Sequence, residues 1–185
     1  MAKKFTAKQV ERYLASENPE IRLRWAEKTD YTPTPEQIER GLNDEDIKVR
    51  FAWIKRLDYM PTPEQIERGL ADGDMRIRMA WTERMDYTPT EKQVDCGITD
   101  ESWWIRRAWA RRMDFTPTPE QVERGLTDEN VDVREAWALR SDYTPTPEQI
   151  ERGLRDAYTV DAWKNRLLEK ESKETVDQIF LGNYP

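Results

Sequence analysis

Residues 30–35 read DYTPTP, and the same six letters return at 142–147. Between them lie DYMPTP at 58–63, DYTPTE at 86–91 and DFTPTP at 114–119, so the copies start at even intervals along the chain. A motif returning at a fixed period of this kind signals stacked structural repeats. The tryptophans confirm the period: Trp25, Trp53, Trp81, Trp109 and Trp137 keep the same even spacing, and Trp163 follows two positions early. The chain therefore divides into six units, 2–29, 30–57, 58–85, 86–113, 114–141 and 142–167. The first lacks the prolines and reads KKFTAKQVERYL; residues 168–185 fall outside the pattern and read as a C-terminal cap.

Working outward from the motif, each unit reads as two helices. In TPEQIERGL, Thr34 is an N-cap, Pro35 suits the first helical position and Gln37 completes a capping box. Gly41 weakens this helix near its end. The second helix is expected over DEDIKVRFAWIKRL, with Asp44 as its cap and Val49, Ala52 and Trp53 as its buried stripe. Asp30-Tyr31-Thr32-Pro33 then ends one helix, and Pro33 and Pro35 hold their predecessors extended. The motif reads as a joint between units, with Tyr31, Tyr59, Tyr87, Phe115 and Tyr143 packed alongside. The competing reading is a displayed proline-rich ligand, but prolines fixed in a capped turn leave little free polyproline helix. A unit this short cannot bury its apolar face alone, so stacking is required.

The run VREAWALRSDYTPTPEQIERGLRD at 133–156 resembles the leucine-rich repeat variants. The chain is also similar to HEAT repeats, which share an Asp followed six residues later by the Arg of a Val-Arg pair. The matching pairs are Asp44 with Arg50, Asp72 with Arg78, Asp100 with Arg106 and Asp128 with Arg134. The resemblance implies an all-α, right-handed α-solenoid of six two-helix repeats in one domain, 1–185, with such pairs bridging neighbours. It departs from those variants in its longer unit, in tryptophan at the core position, and in lacking a cysteine cluster for an iron–sulfur centre. It says little about function, because such scaffolds serve many partners.

Composition narrows the function. There is no histidine and only one cysteine, Cys96, which removes the commonest general base and the usual zinc sites. No catalysis, cofactor or metal is expected. No apolar run reaches membrane-spanning length, the N-terminus lacks the apolar core of a signal peptide, and a cytoplasmic address fits. The net charge of −7 disfavours general adhesion to nucleic acid.

Two basic series recur. Arg22, Arg50, Arg78, Arg106 and Arg134 precede each Trp by three residues; they read as an internal ladder or as a row for phosphates. Lys28, Arg56, Arg84, Arg112, Arg140 and Arg166 follow each Trp by three; they read as dipole-complementing helix ends or as a groove-lining row. Positions that differ between copies are better candidates for function. Five before, two before and two after each Trp, the copies read Glu20-Leu23-Glu27, Lys48-Phe51-Lys55, Arg76-Met79-Glu83, Trp104-Arg107-Arg111 and Asp132-Glu135-Leu139. Basic and bulky residues collect in the middle copies, and Trp and Arg dominate binding hot spots. The candidate partner-binding residues are thus Lys48, Phe51, Lys55, Arg76, Met79, Trp104, Arg107 and Arg111, with Trp104 and Arg107 spaced for a cation–π pair. Unit charge falls from +3 in the first copy to −4 in the fifth. The expected function is a non-catalytic protein-interaction scaffold or adaptor. A narrower version is an inhibitor of a nucleic-acid-handling complex, such as a phage-type anti-defence factor. The alternative is direct nucleic-acid binding in the manner of HEAT-like DNA glycosylases.

Overall fold

A computed structural model describes residues 5–169, so the expected cap is outside the described residues apart from Leu168 and Glu169. Among the described residues the chain is all-α, with no strand. Packing divides the chain into two compact units, Met1–Thr88 and Pro89–Pro185. The first holds α1 (Ala7–Leu14), α2 (Pro19–Ala26), α3 (Pro35–Leu42), α4 (Ile47–Ile54), α5 (Pro63–Leu70) and α6 (Met75–Thr82). The second holds α7 (Glu91–Ile98), α8 (Trp103–Arg111), α9 (Pro119–Leu126), α10 (Val131–Ala138), α11 (Pro147–Arg155) and α12 (160–169). Within each unit the helices pack in succession, as in a helical-repeat solenoid. In each unit the odd-numbered helices form one row, α1·α3·α5 in the first and α7·α9·α11 in the second. Even-numbered helices form the other, α2·α4·α6 and α8·α10. No helix of the described residues is long and apolar enough to cross a membrane.

The joint has the local chemistry expected of it. Thr34 accepts from the Gln37 amide N–H, and the Gln37 side chain accepts from the Thr34 amide. The same box recurs at Thr62, Thr90, Thr118 and Thr146. The tyrosine hydroxyl turns back to donate to the carbonyl of its preceding tryptophan, Tyr31 to Trp25 at 2.9 Å and Tyr87 to Trp81 at 3.0 Å. All six repeated tryptophans are buried, the most exposed being Trp25 at 6 %.

Three local expectations are corrected and one is extended. The second helix is shorter than expected in its α4 copy, Ile47–Ile54, and Asp46, not Asp44, caps it by accepting from Lys48 and Val49. Ala52 is only half-buried; Ile54 completes the buried stripe with Val49 and Trp53. Gly41 stands one residue before the end of α3, as expected, and has a second role that the sequence did not show. The Trp53 indole lies so close that a Cβ there would sit 2.1 Å from Nε1, and Gly69, Gly97, Gly125 and Gly153 meet their own tryptophans in the same way. The first copy has Tyr13 in place of this glycine, and Trp25 instead stacks on the Tyr13 ring at 4.5 Å. Finally, the ladder arginines Arg22, Arg50, Arg106 and Arg134 pair with an aspartate of the next copy, not with the one six residues behind. Arg22 grips Asp44 at 2.7 Å and Arg106 grips Asp128 at 2.7 Å, with Arg50–Asp72 and Arg134–Asp156 equivalent. The aspartate six residues behind contributes only its carbonyl, Asp44 O accepting from Arg50 at 2.8 Å.

Candidate protein-interaction face

The candidate surface is what remains once the residues that join the copies are set aside. The second basic series is one such set: its arginines are committed to the helix ends of the neighbouring copy, and only Arg56 also reaches the groove between α2 and α4. Arg56 is buried, with its guanidinium 4.8 Å from the Tyr31 ring and 5.1 Å from the Trp53 ring. It donates to the carbonyls of Ala26, Lys28 and Tyr31 and forks onto Asp58. It therefore supplies donors to the open carbonyl end of α2 from the next copy. Arg140 repeats this on Ala110, Arg112, Phe115 and Asp142, and Arg166 on Ala138 and Tyr143. Burial pushes the phenols of Tyr31 and Tyr59 up to about 12, although the arginine beside each works against it.

A further set joins the odd-numbered helices. Gln37 and Arg40 both hold the Glu11 carboxylate, at 3.2 and 2.7 Å, and Gln65 with Arg68 holds Glu39. The hydrogen bonds and guanidinium groups keep the Glu11, Glu39 and Glu123 carboxyls below the usual glutamate value. These pairs are nearly half exposed, so each contributes little, about 0–1 kcal/mol.

In the first unit the even-numbered row is left over. An open groove of about 1020 Å³ runs between α2 and α4, with α6 at its margin. Its apolar surface comes from Leu23, Ile47, Phe51, Ala52 and Leu57, with the buried Ala26 beneath them. Lys48, Lys55 and Arg76 stand around it, and Glu27, Thr29, Arg56 and Asp58 complete the lining. Lys55 lies 5.3 Å from the Phe51 ring centre and bonds Glu83 at 3.1 Å. Arg76 forks onto Asp74 at 2.8 and 3.0 Å, which holds the Asp74 carboxyl down at about 2. Of the candidates in this unit, Lys48, Phe51, Lys55 and Arg76 meet at the groove; Met79 is half-buried and is not part of its lining.

The second unit carries the other three on α8. Trp104 is 49 % exposed, Arg111 is exposed and Arg107 is half-buried. The expected Trp104–Arg107 pair gives way to a different one: the Trp104 ring stacks on Trp103, centres 4.0 Å apart. Cys96 is a free, exposed thiol. Among the described residues no three His, Cys, Asp or Glu side chains converge as a metal site would need.

Leu57 is the residue that sequence reasoning missed. It is 79 % exposed, the most open large apolar side chain of the described residues, and it lines the groove. The signal was present in the repeats: the position four after each Trp is Leu57, Met85 and Met113 in the middle copies but Thr29 and Ser141 in the flanking ones. No protein-family model matches the sequence, and comparison with curated proteins and with solved structures gives no match.

Proposed function

We propose that this protein is a non-catalytic interaction module whose first unit presents the groove between α2 and α4 to a protein partner. The carrying observation is the groove itself, where Phe51 and Leu57 stay exposed beside Leu23, Ala26 and Ile47. A contiguous apolar surface rimmed by charge is the usual mark of a binding face. The partner-facing positions are also those at which the copies differ, whereas the joining residues repeat.

This reading is preferred to direct nucleic-acid binding for a physical reason. A row of phosphate contacts needs uncommitted cations in successive copies, and the repeating basic series do not supply one. The ladder arginines Arg22, Arg50, Arg106 and Arg134 are paired with aspartates, and Arg56 and Arg140 are buried in carbonyl and carboxylate contacts.

The test uses the full chain as affinity bait in extract of its native host. Phe51→Asp and Leu57→Asp are each expected to lower partner recovery about tenfold or more, as hot-spot truncations do, with circular dichroism unchanged. Arg12→Glu, an exposed change on α1, is expected to leave recovery intact. A partner that survives both groove changes at full yield refutes the reading.

A further inference from the structure

The groove also indicates what kind of segment fills it. This inference rests on the groove being the interaction site proposed above. Its walls are α2 and α4, whose interior N–H and C=O groups are already used in their own i→i−4 bonds. The carbonyls at the end of α2 are used as well, by Arg56. No sheet edge exists among the described residues. An extended segment laid on this surface would bury backbone groups with nothing to pair them, which is unfavourable for each group. A helix satisfies those groups internally and needs only an apolar stripe to match the surface.

A small molecule fits less well. Small-ligand sites place a few buried polar groups so that they converge on the ligand. Here the one buried polar side chain of the lining, Arg56, has its donors engaged by Ala26, Lys28, Tyr31 and Asp58. The remaining cations stand at the rim.

Charge sets the flanks. Lys48 is exposed and its ammonium has no partner among the described residues. Lys55 and Arg76 each hold one carboxylate while at least half exposed, and such pairs exchange at little cost. Opposing them in the lining, Glu27 is the exposed carboxylate not bound to an arginine, since Asp58 is held by Arg56. Within the lining, Lys48, Lys55, Arg56 and Arg76 outnumber Glu27 and Asp58, while Glu83 and Asp74, which pair with Lys55 and Arg76, stand outside it.

We infer that the groove binds an amphipathic helix of a partner protein. Its apolar stripe seats on Phe51 and Leu57 between α2 and α4, and its flanks carry Asp or Glu facing Lys48, Lys55 and Arg76.

The probe is a fluorescent synthetic helix of about 18 residues, five turns, with leucines on one stripe and glutamates beside them. A second version has lysine for every glutamate, and a third has a central proline. Fluorescence anisotropy against the full-length protein is expected to show the glutamate helix binding about tenfold tighter than either, as the sum of a few exposed charge contacts allows. The double variant Lys48→Glu, Arg76→Glu is expected to reverse the glutamate–lysine preference. Both positions lie in the first turn of their helices, where a carboxylate suits the dipole, so the fold is retained. Equal binding of the glutamate and lysine helices overturns the inference, as does equal binding of the proline version or no binding of any. Self-association of the free protein that Phe51→Asp abolishes also overturns it, because the occupant is then a second copy. The two readings separate cleanly. A native partner that needs Phe51 while the probes fail leaves the groove standing and removes the helix. A native partner indifferent to Phe51 removes the groove itself.

Discussion

A glycine inside a helix normally costs stability relative to alanine, about 0.5–1 kcal/mol. At Gly69 the sign reverses. A methyl group there would sit 2.0 Å from Trp81 Nε1, against a ring that is 2 % exposed and cannot move aside. Gly69→Ala is expected to lower stability by about 1–3 kcal/mol through overpacking, read as a drop in the urea midpoint at unchanged slope. Trp81→Ala removes the same contact from the other side and should cost more, about 3–5 kcal/mol. The tryptophan period was legible in the sequence, and the burial of all six rings follows from it. The partner of each ring was not. Gly41 precedes Trp53 at the same spacing by which Gly69, Gly97 and Gly125 precede Trp81, Trp109 and Trp137; the copy without that glycine has Tyr13 instead. Propensity reasoning treats a late glycine as a helix end, because it weighs the backbone and ignores what approaches it. Close approach is a tertiary fact, and only the joint recurrence of Gly and Trp hinted at it.

At the scale of elements, the arginines decide how copies meet. Arg140 joins the carbonyl end of α8 to Asp142 and to the Phe115 ring while 2 % exposed. Arg140→Met is expected to cost about 3–5 kcal/mol, because Asp142 and the Ala110 carbonyl lose their donor in a buried setting. Arg50 offers the opposite experiment. Arg22 and Arg106 each reach a second carboxylate, Glu45 and Glu129, but the matching residue for Arg50 is Gly73. A side chain at Gly73 meets open space, and the backbone there is not in the left-handed region. Gly73→Glu should therefore stabilise by about 0.5–1 kcal/mol, from a stiffer unfolded chain and an added exposed ion pair; a thermal melt gives the answer. The direction of the arginine ladder could not be read from the internal copies. An aspartate six behind an arginine and the aspartate ahead of it in the next copy occupy the same column of the repeat. The ends of the array break the tie. Arg22 has Ser16 six residues behind it, and Asp156 has Ala162 six residues ahead, so both bonds must run forward. The candidate face was partly legible for the same reason in reverse: variation between copies marked Lys48, Phe51, Lys55 and Arg76, but the groove that gathers them depends on the spacing of α2 and α4.

For the molecule as a whole, the same contacts set its tolerance to pH. Tyr31 and Tyr59 titrate near 12 when folded against 10.0 for a free phenol, and Tyr143 is also raised. A raised phenol stabilises fully below its unfolded value, and that contribution is lost as pH climbs through the folded one. Alkaline unfolding should therefore set in between about pH 10 and 12. The carboxyls of Glu11, Glu39 and Glu123 are lowered, so their smaller contribution is present above the unfolded value of 4.5 and disappears as pH falls through the folded one. Denaturant midpoints across this range test both limbs; replacing Tyr59 with Phe should shift the alkaline limb and leave the acid one in place.

The forward-running joints have one more consequence. Each copy in the first unit offers its successor the same carbonyls and ladder arginine, and each successor brings the same ring, arginine and aspartate to meet them. Excising residues 30–57 would bring Arg22 to Asp72 and the α2 carbonyls to Arg84, with no new surface to invent. Such a shortened chain is expected to stay helical by circular dichroism while losing Phe51, Leu57 and all partner recovery. Whole copies are thus expected to be removable without loss of the helical fold, each taking its own variable face residues with it.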